Sequence, residues 1–444
     1  MLSKENRLWP TPRSHEVALF TDLTLYAEAL ELAVTQGTIT VSSLQRGLGQ
    51  RLQKMRLVLR QSPRTVERLM RELRAFGWIE PQSGTKTGIT SALHVITLEG
   101  HDILNLARNQ PRIFHRRLII KMQEIYVIPG WFIARLWQIN PKGQGEVILP
   151  APTAEWKPTP RSWDDHSWDT TLQAQTMHVA KMAREVSVNA FPIRDQDWLT
   201  TVQASWYRLS TLKPRQPIEK GAISYSPRER LALAMREASV GLLFNKVPYG
   251  VDVPDFSGNR PPIYLRTFMG WCPRLESLEL IFYSDWHPWI SGRLLFPVSV
   301  FRLSAPESRF EMVQEVHDPN GNLLWLHQPQ WETVRTSFFR TLIQVHQRIA
   351  TKTGTIYISL LDVRDEICRQ LRISSFCFDR FLELTLAELP TEDFPWSIAV
   401  ETDTLEEHRG GSSQLRHPAY LNRVPHTLIG LARLPQKSQE RKTI

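Results

Sequence analysis

The sequence predicts a multidomain α+β protein, and three observations lead there. Apolar residues recur at helical spacing in several segments, as in Leu23, Tyr26, Ala27, Leu30 and Val34. Between such segments lie short runs of β-formers bounded by Gly and Pro, at 278–283, 292–296 and 298–303. Finally, 444 residues with 42% hydrophobic and 22% charged content supply more than one core, roughly two to four at usual domain sizes.

The composition also excludes several classes. No apolar run approaches the ~18–20 residues needed to cross a bilayer. The first ten residues, Met-Leu-Ser-Lys-Glu-Asn-Arg-Leu-Trp-Pro, lack the apolar core of a secretory signal. Cys272, Cys368 and Cys377 are odd in number and widely spaced, which suits a reducing cytoplasm better than a disulfide framework or a zinc ribbon. A cytoplasmic protein without membrane contact is therefore expected.

Charge is distributed unevenly. Eight arginines and Lys54 lie between Arg46 and Arg74 against only Glu67 and Glu72, so this window carries +7 of the chain's +9. A solvated helical face would also be basic, but charge concentrated on one segment is the footprint of a phosphate-backbone binder.

Taken in order, residues 1–16 have Pro10, Pro12 and no periodic pattern, and are expected to form a flexible arm. A first helix follows over 19–34, ended by Gly37, then a short strand at 38–41. Ser42 or Ser43 should cap a second helix, weakened by Gly47 and Gly49, with a strongly basic helix resuming at 51–60. At 62–80 the signals are clearest. Ser62 is a good N-cap, Pro63 suits the first helical position, and Val66, Leu69, Met70 and Leu73 make one apolar face. Arg64, Arg68 and Arg71 fall on the opposite face, Gly77 ends the helix, and Trp78-Ile79 begins a strand. A polar loop over 81–91, a returning strand at 93–97 and a helix at 101–108 complete the region.

This order resembles a winged helix-turn-helix domain over residues 17–110. The motifs that carry the resemblance are Thr65-Val66-Glu67-Arg68 through Leu73, Gly77-Trp78-Ile79-Glu80, and the Thr97-Leu98-Glu99-Gly100 return. The resemblance implies that the 62–76 helix enters a major groove of double-stranded DNA, with Arg64, Thr65, Arg68 and Arg71 facing base edges. It places Arg56, Arg60 and Arg74 on phosphates, and Lys86 at the wing tip. The span from 43 to 61 is longer than a minimal second helix and turn, which leaves either an inserted helix or a separate phosphate-contacting segment.

Beyond it, 111–149 is expected to connect, with Arg112, Arg116, Arg117 and Lys121 on a helix that either extends the basic surface or packs the domains together. Pro150, Pro152, Pro158 and Pro160 mark a stiff linker at 150–160. The 161–330 region is a mixed α/β domain with helices at 171–188 and 227–244, unusually dense in tryptophan: twelve of fifteen lie between Trp131 and Trp331. Such rings can stack on single-stranded bases, but core filling is the commoner use.

A second winged-helix-like unit is expected at 331–403: a helix from Trp331, a strand at 355–358, helices at 361–371 and 375–389, and a strand at 395–401. Its third helix carries Asp379, Arg380, Glu383 and Glu388, a sign that suits protein contact rather than phosphate. The 404–444 tail, net +4, is expected to be disordered.

Trp163-Asp-Asp-His-Ser-Trp-Asp169, Trp286-His-Pro-Trp289 and His317-Asp318-Pro-Asn-Gly321 gather acids and histidines, yet turns and helix caps explain them as well as catalysis does. The chain has no Walker loop, dinucleotide fingerprint, paired-histidine motif, nucleophile elbow or Cys-x-x-Cys. No catalytic residue, metal or cofactor is expected. The expected function is therefore that of a regulator, or of a DNA-binding subunit of a prokaryotic defence or plasmid- or chromosome-maintenance machine. Homo-oligomers or protein partners would meet the Trp-rich centre and the second unit. The alternatives are a replication-initiator-like protein, since plasmid initiators pair two winged helices, and a kleisin-like scaffold. An enzyme hidden in the centre is the outsider.

Overall fold

A computed structural model describes residues 22–54, 63–84, 88–126, 128–152, 168–186, 189–211, 227–244, 263–284, 287–290, 292–298, 300–302, 312–318, 320, 322–391, 393–402, 419–422 and 424–434. These form a mixed α+β arrangement, rich in helix, with small antiparallel sheets. No helix among them is long and apolar enough to cross a membrane.

The N-terminal unit contains α1 (Asp22–Gln36), α2 (Val41–Lys54), α3 (Pro63–Ala75), β1 (Ile79–Pro81), β2 (His94–Ile96) and α4 (Leu98–Asn109). The strand expected at 38–41 shrinks to a bridge from Ile39 to His94. Thr40, not Ser42 or Ser43, is the cap of α2. Its hydroxyl accepts from the Ser43 amide at 3.1 Å while Ser43 Oγ accepts from the Thr40 amide at 2.9 Å. This reciprocal pair starts the helix early, and α2 runs through Gly47 and Gly49 unbroken. Leu25, Tyr26, Leu30, Leu44, Leu48, Val66, Met70, Leu73, Phe76 and Trp78 close the core.

The central unit begins earlier than the proline-rich boundary suggests. It comprises α5 (Pro111–Ile125), α6 (Ile128–Ile139), β3 (Val147–Pro150), α7 (Thr170–Val186), α8 (Asp195–Thr211), α9 (Pro227–Phe244) and α10 (Ile263–Ser277). Its remaining strands are β4 (Ile281–Ser284), β5 (Gly292–Pro297), β6 (Val300–Arg302), β7 (Met312–His317) and β8 (Leu323–Gln328). The residues at 147–149, within the stretch expected to connect through helix and strand, are fully buried because β3 pairs antiparallel with β5, in the order β3-β5-β4. A second sheet has the order β6-β8-β7. The tryptophans serve the core: Trp198, Trp206 and Trp271 are sealed, and Trp131, Trp168 and Trp331 nearly so. Trp156, Trp163 and Trp286 lie outside the described residues. Asp318 sits in the β7–β8 turn and accepts from the amides of Asn320 and Asn322 at 2.9 and 2.7 Å. Asp169 caps α7 through the Leu172 amide at 2.8 Å.

α6 is apolar nearly all round and lies against the end of β7. A Cβ on Gly130 would stand 1.4 Å from the His317 carbonyl oxygen. Gly130→Ala must therefore separate two backbones, and it is expected to cost stability at or above the upper end of the ~1–3 kcal/mol seen for overpacking. Urea unfolding reads this directly, and a midpoint equal to wild type would show that the contact is not rigid.

The C-terminal unit contains α11 (Trp331–Thr353), β9 (Tyr357–Ser359), α12 (Leu360–Leu371), α13 (Ser375–Glu388), β10 (Trp396–Glu401), a hairpin of β11 (Ala419–Leu421) with β12 (Val424–His426), and β13 (Leu428–Arg433). Residues 419–422 and 424–434, expected within a disordered tail, are thus ordered. The Leu428-Ile-Gly-Leu-Ala run makes β13 the middle strand of a sheet in the order β10-β13-β9. Scattered basic residues mask that short apolar run in the sequence. The N-terminal unit repeats the scheme, since β1 pairs with β2 and Ile39 bridges to the other side of β2 at His94.

Candidate nucleic-acid interface

The basic segment takes its shape from α3 and the two backbone clasps behind it. Gly77 adopts φ +77° and ends α3 in a Schellman turn: its amide bonds Arg74 O at 3.0 Å, and the Trp78 amide bonds Leu73 O at 2.9 Å. Thr97 then closes the return. Its amide bonds Trp78 O at 3.0 Å, its hydroxyl donates to Gly77 O at 2.7 Å, and the same hydroxyl accepts from the Gly100 amide at 3.0 Å as the N-cap of α4. Gly100 is needed because a Cβ there would stand 2.2 Å from Trp78 O. The Thr-x-x-Gly spacing thus locks the end of β2 to the end of α3.

The arginines of α3 do not share one environment. Arg71 projects into solvent, with 64% of its side chain exposed, and pairs with Glu67 one turn earlier. Arg74 is half-buried at the C-terminal turn, near His94. The His94 ring is held below the usual histidine range by burial and by that arginine. Arg64 and Thr65 occupy the first turn of α3. Arg56, Arg60 and Lys86 lie outside the described residues. Arg68 departs from the expected exposed face: it is half-buried, its Nη1 enclosed with no hydrogen-bond partner, on the flank nearest Glu72. Helical spacing puts Arg68 beside both Arg71 and Glu72, and its enclosure comes from packing on the Glu72 side rather than from its place on the helix.

Glu72 is the residue that charge counting overlooks. Buried at the α3 flank, it accepts hydrogen bonds from the hydroxyls of Tyr26 on α1 and Tyr126, the latter at 2.7 Å. It also meets Arg274 of α10, whose Nη2 lies 2.5 Å from Oε2 and 2.6 Å from the Tyr26 hydroxyl oxygen. The Arg274 guanidinium stacks over Trp271 and Tyr126, 5.1 and 5.7 Å from their ring centroids. Burial pushes the Glu72 carboxyl up, but Arg274, Arg68 and Tyr26 together outweigh it and hold the group ionised, below the usual range. The Tyr126 hydroxyl is pushed well above the usual phenol range by burial and the Glu72 charge. α3 is therefore bolted to the central unit through a four-group cluster. No local pattern in the sequence links residues 26, 72, 126 and 274.

α13, the matching helix of the C-terminal unit, is occupied differently. Asp379 Oδ2 accepts from the Tyr420 amide at 2.9 Å and Glu383 Oε1 from the Asn422 amide at 2.5 Å, so the β11–β12 hairpin lies along its acidic flank. Glu388 accepts from Trp331 Nε1 at 2.7 Å and pairs with Arg335 at 2.5 Å. Burial pushes the Asp379 carboxyl up to about 7, against the opposing pull of Arg364 and the Tyr420 amide.

α12 faces the central unit with charged side chains. Asp365 accepts from Ser284 Oγ at 2.6 Å, Glu366 lies 2.9 Å from His287 Nε2, and Arg369 and Arg372 approach Glu146 at 3.3 and 2.9 Å. Each carboxylate here is committed to holding two elements together, so the cluster serves as an interface. Among the described residues no group of three or more His, Cys, Asp or Glu side chains could hold a metal ion.

No family model matches the chain, and no curated protein or solved structure does either.

Proposed function

We propose that the N-terminal unit is a winged helix that binds duplex DNA through α3, and that the chain is a DNA-binding subunit of a multiprotein prokaryotic DNA machine. The observation that carries this reading is an asymmetry between two units of the same topology. Both run helix, short strand or bridge, helix, helix, strand, return strand, with the return strand between the other two. The first unit's third helix carries four arginines against two glutamates, whereas the second's carries Arg380 alone among acids already engaged by its own hairpin and by α11. That favours a structural or protein-contacting second unit over a two-site initiator.

In this reading Arg64, Thr65 and Arg71 address the groove, Arg68 reaches it from the flank, and Arg56, Arg60, Arg74 and Lys86 meet phosphates. A guanine-reading arginine supplies ~1–3 kcal/mol of discrimination, whereas a phosphate contact adds affinity without sequence information. Arg68→Ala is expected to relax sequence preference. Lys86→Ala should weaken all duplexes evenly and flatten the salt slope by about one unit. Anisotropy titrations on a duplex panel at several salt concentrations read both effects. Wild-type affinity of both variants for every probe would sink the proposal.

A further inference from the structure

Two guanidinium groups stand around one buried carboxylate. Glu72 is filled by two tyrosine hydroxyls and by Arg274, while Arg68, one helical turn earlier on α3, acts on the same carboxylate through space without a hydrogen bond. A carboxylate offers about four lone-pair sites, and the three donors already present leave little room for a second bidentate arginine. Arg68 is therefore left with Nη1 out of contact with water and without an acceptor. A sealed donor without a partner is costly, and an outward shift of this half-buried side chain would present it to an acceptor at the α3 surface. A phosphate or base-edge oxygen is such an acceptor. The i, i+4 relation between Arg68 and Glu72 means that a rotamer change alone would bring them together.

We propose that Arg274, in the central unit, is a positioning residue for DNA binding: by occupying Glu72 it keeps the Arg68 guanidinium available to DNA. The central unit thereby sets the affinity of the N-terminal unit. This rests on the proposed role of α3 and deepens it. When Arg274 is absent, Glu72 is a buried anion whose nearest cation is Arg68, and Arg68 turns inward to pair with it.

The test uses the full chain, duplex DNA and a salt series read by fluorescence anisotropy. Arg274→Met is expected to weaken binding roughly 10-fold and to flatten the salt slope by about one unit, matching Arg68→Met. Adding Glu72→Gln to Arg274→Met removes the anion, frees Arg68 and restores both slope and affinity. In an Arg68→Met background, Arg274→Met should have no further effect on DNA binding. Should Arg274→Met fail to fold, Arg274→Lys is the milder form. A single ammonium holds Glu72 less well, so a smaller loss, again reversed by Glu72→Gln, is expected. A purely structural Arg274 would give losses that Glu72→Gln leaves in place or deepens, and that result overturns the inference. Wild-type binding by folded Arg274→Met overturns it too, while leaving the role of α3 standing. Absence of duplex binding by the wild-type chain refutes the role of α3 instead.

Discussion

Replacing Glu72 by alanine should lower the stability of the protein by about 3–5 kcal/mol, the range for breaking one side of a buried ion pair. Arg274 is nearly sealed from water, its side chain 1% exposed, and it would lose its ion pair with Glu72. Tyr26 and Tyr126 would lose the acceptor for their buried hydroxyls at the same time. The same principle gives a sharper contrast. Glu72→Met with Arg274→Met removes both charges at once and should destabilise far less than Glu72→Ala, because neither member of the sealed pair is left without the other. Urea denaturation followed by tryptophan fluorescence reports on both sides of the contact, since Trp78 and Trp271 flank it. A loss below about 1 kcal/mol for Glu72→Ala would mean that the carboxylate does not anchor α3.

The largest expected effect on DNA binding comes from Arg64, Arg71 and Arg74 changed together to glutamine. If each meets a phosphate or a base edge, the loss of three cationic contacts should flatten the logarithmic salt dependence by about 2.7 units, at ~0.9 per contact. The Arg71 change should leave stability nearly unmoved. Arg71 is mostly exposed, and its pair with Glu67 is of the surface kind, worth ~0–1 kcal/mol. A triple variant that folds as wild type and keeps the wild-type salt slope would place the DNA surface elsewhere or remove it.

The sequence makes the helix starts and stops of the first unit legible because each is set by a few adjacent residues. Pro63 opens α3, Gly77 closes it, and Thr97 with Gly100 turns the chain into α4. The apolar stripe of α11 is likewise local. α10 is harder to foresee, since it carries Pro273 inside and residues 271–277 are buried on every side, whereas α8 does show a helical stripe in Trp198, Val202 and Trp206. What sequence reasoning misses at the candidate site is long-range pairing. Nothing near Glu72 distinguishes it from a solvent-facing helix glutamate, and its partner Arg274 lies 202 positions away. Arg68 was misplaced for the same reason: its surroundings are set by Glu72 and the central unit, which helical spacing alone does not register.

β13 has a consequence for how the protein is made. Among the described strands β9 and β10 pair only with β13, across 68 and 26 residues of intervening chain respectively, counted from Ser359 and Glu401 to Leu428. A nascent chain that has emerged through Glu401 therefore holds two unpaired strand edges and no sheet in its C-terminal unit. The helices α11 to α13 can form during synthesis, whereas the sheet awaits the emergence of β13. Until then the apolar edges of β9 and β10 are open to other chains, which makes this the interval in which a chaperone, or an obligate partner translated nearby, would matter most.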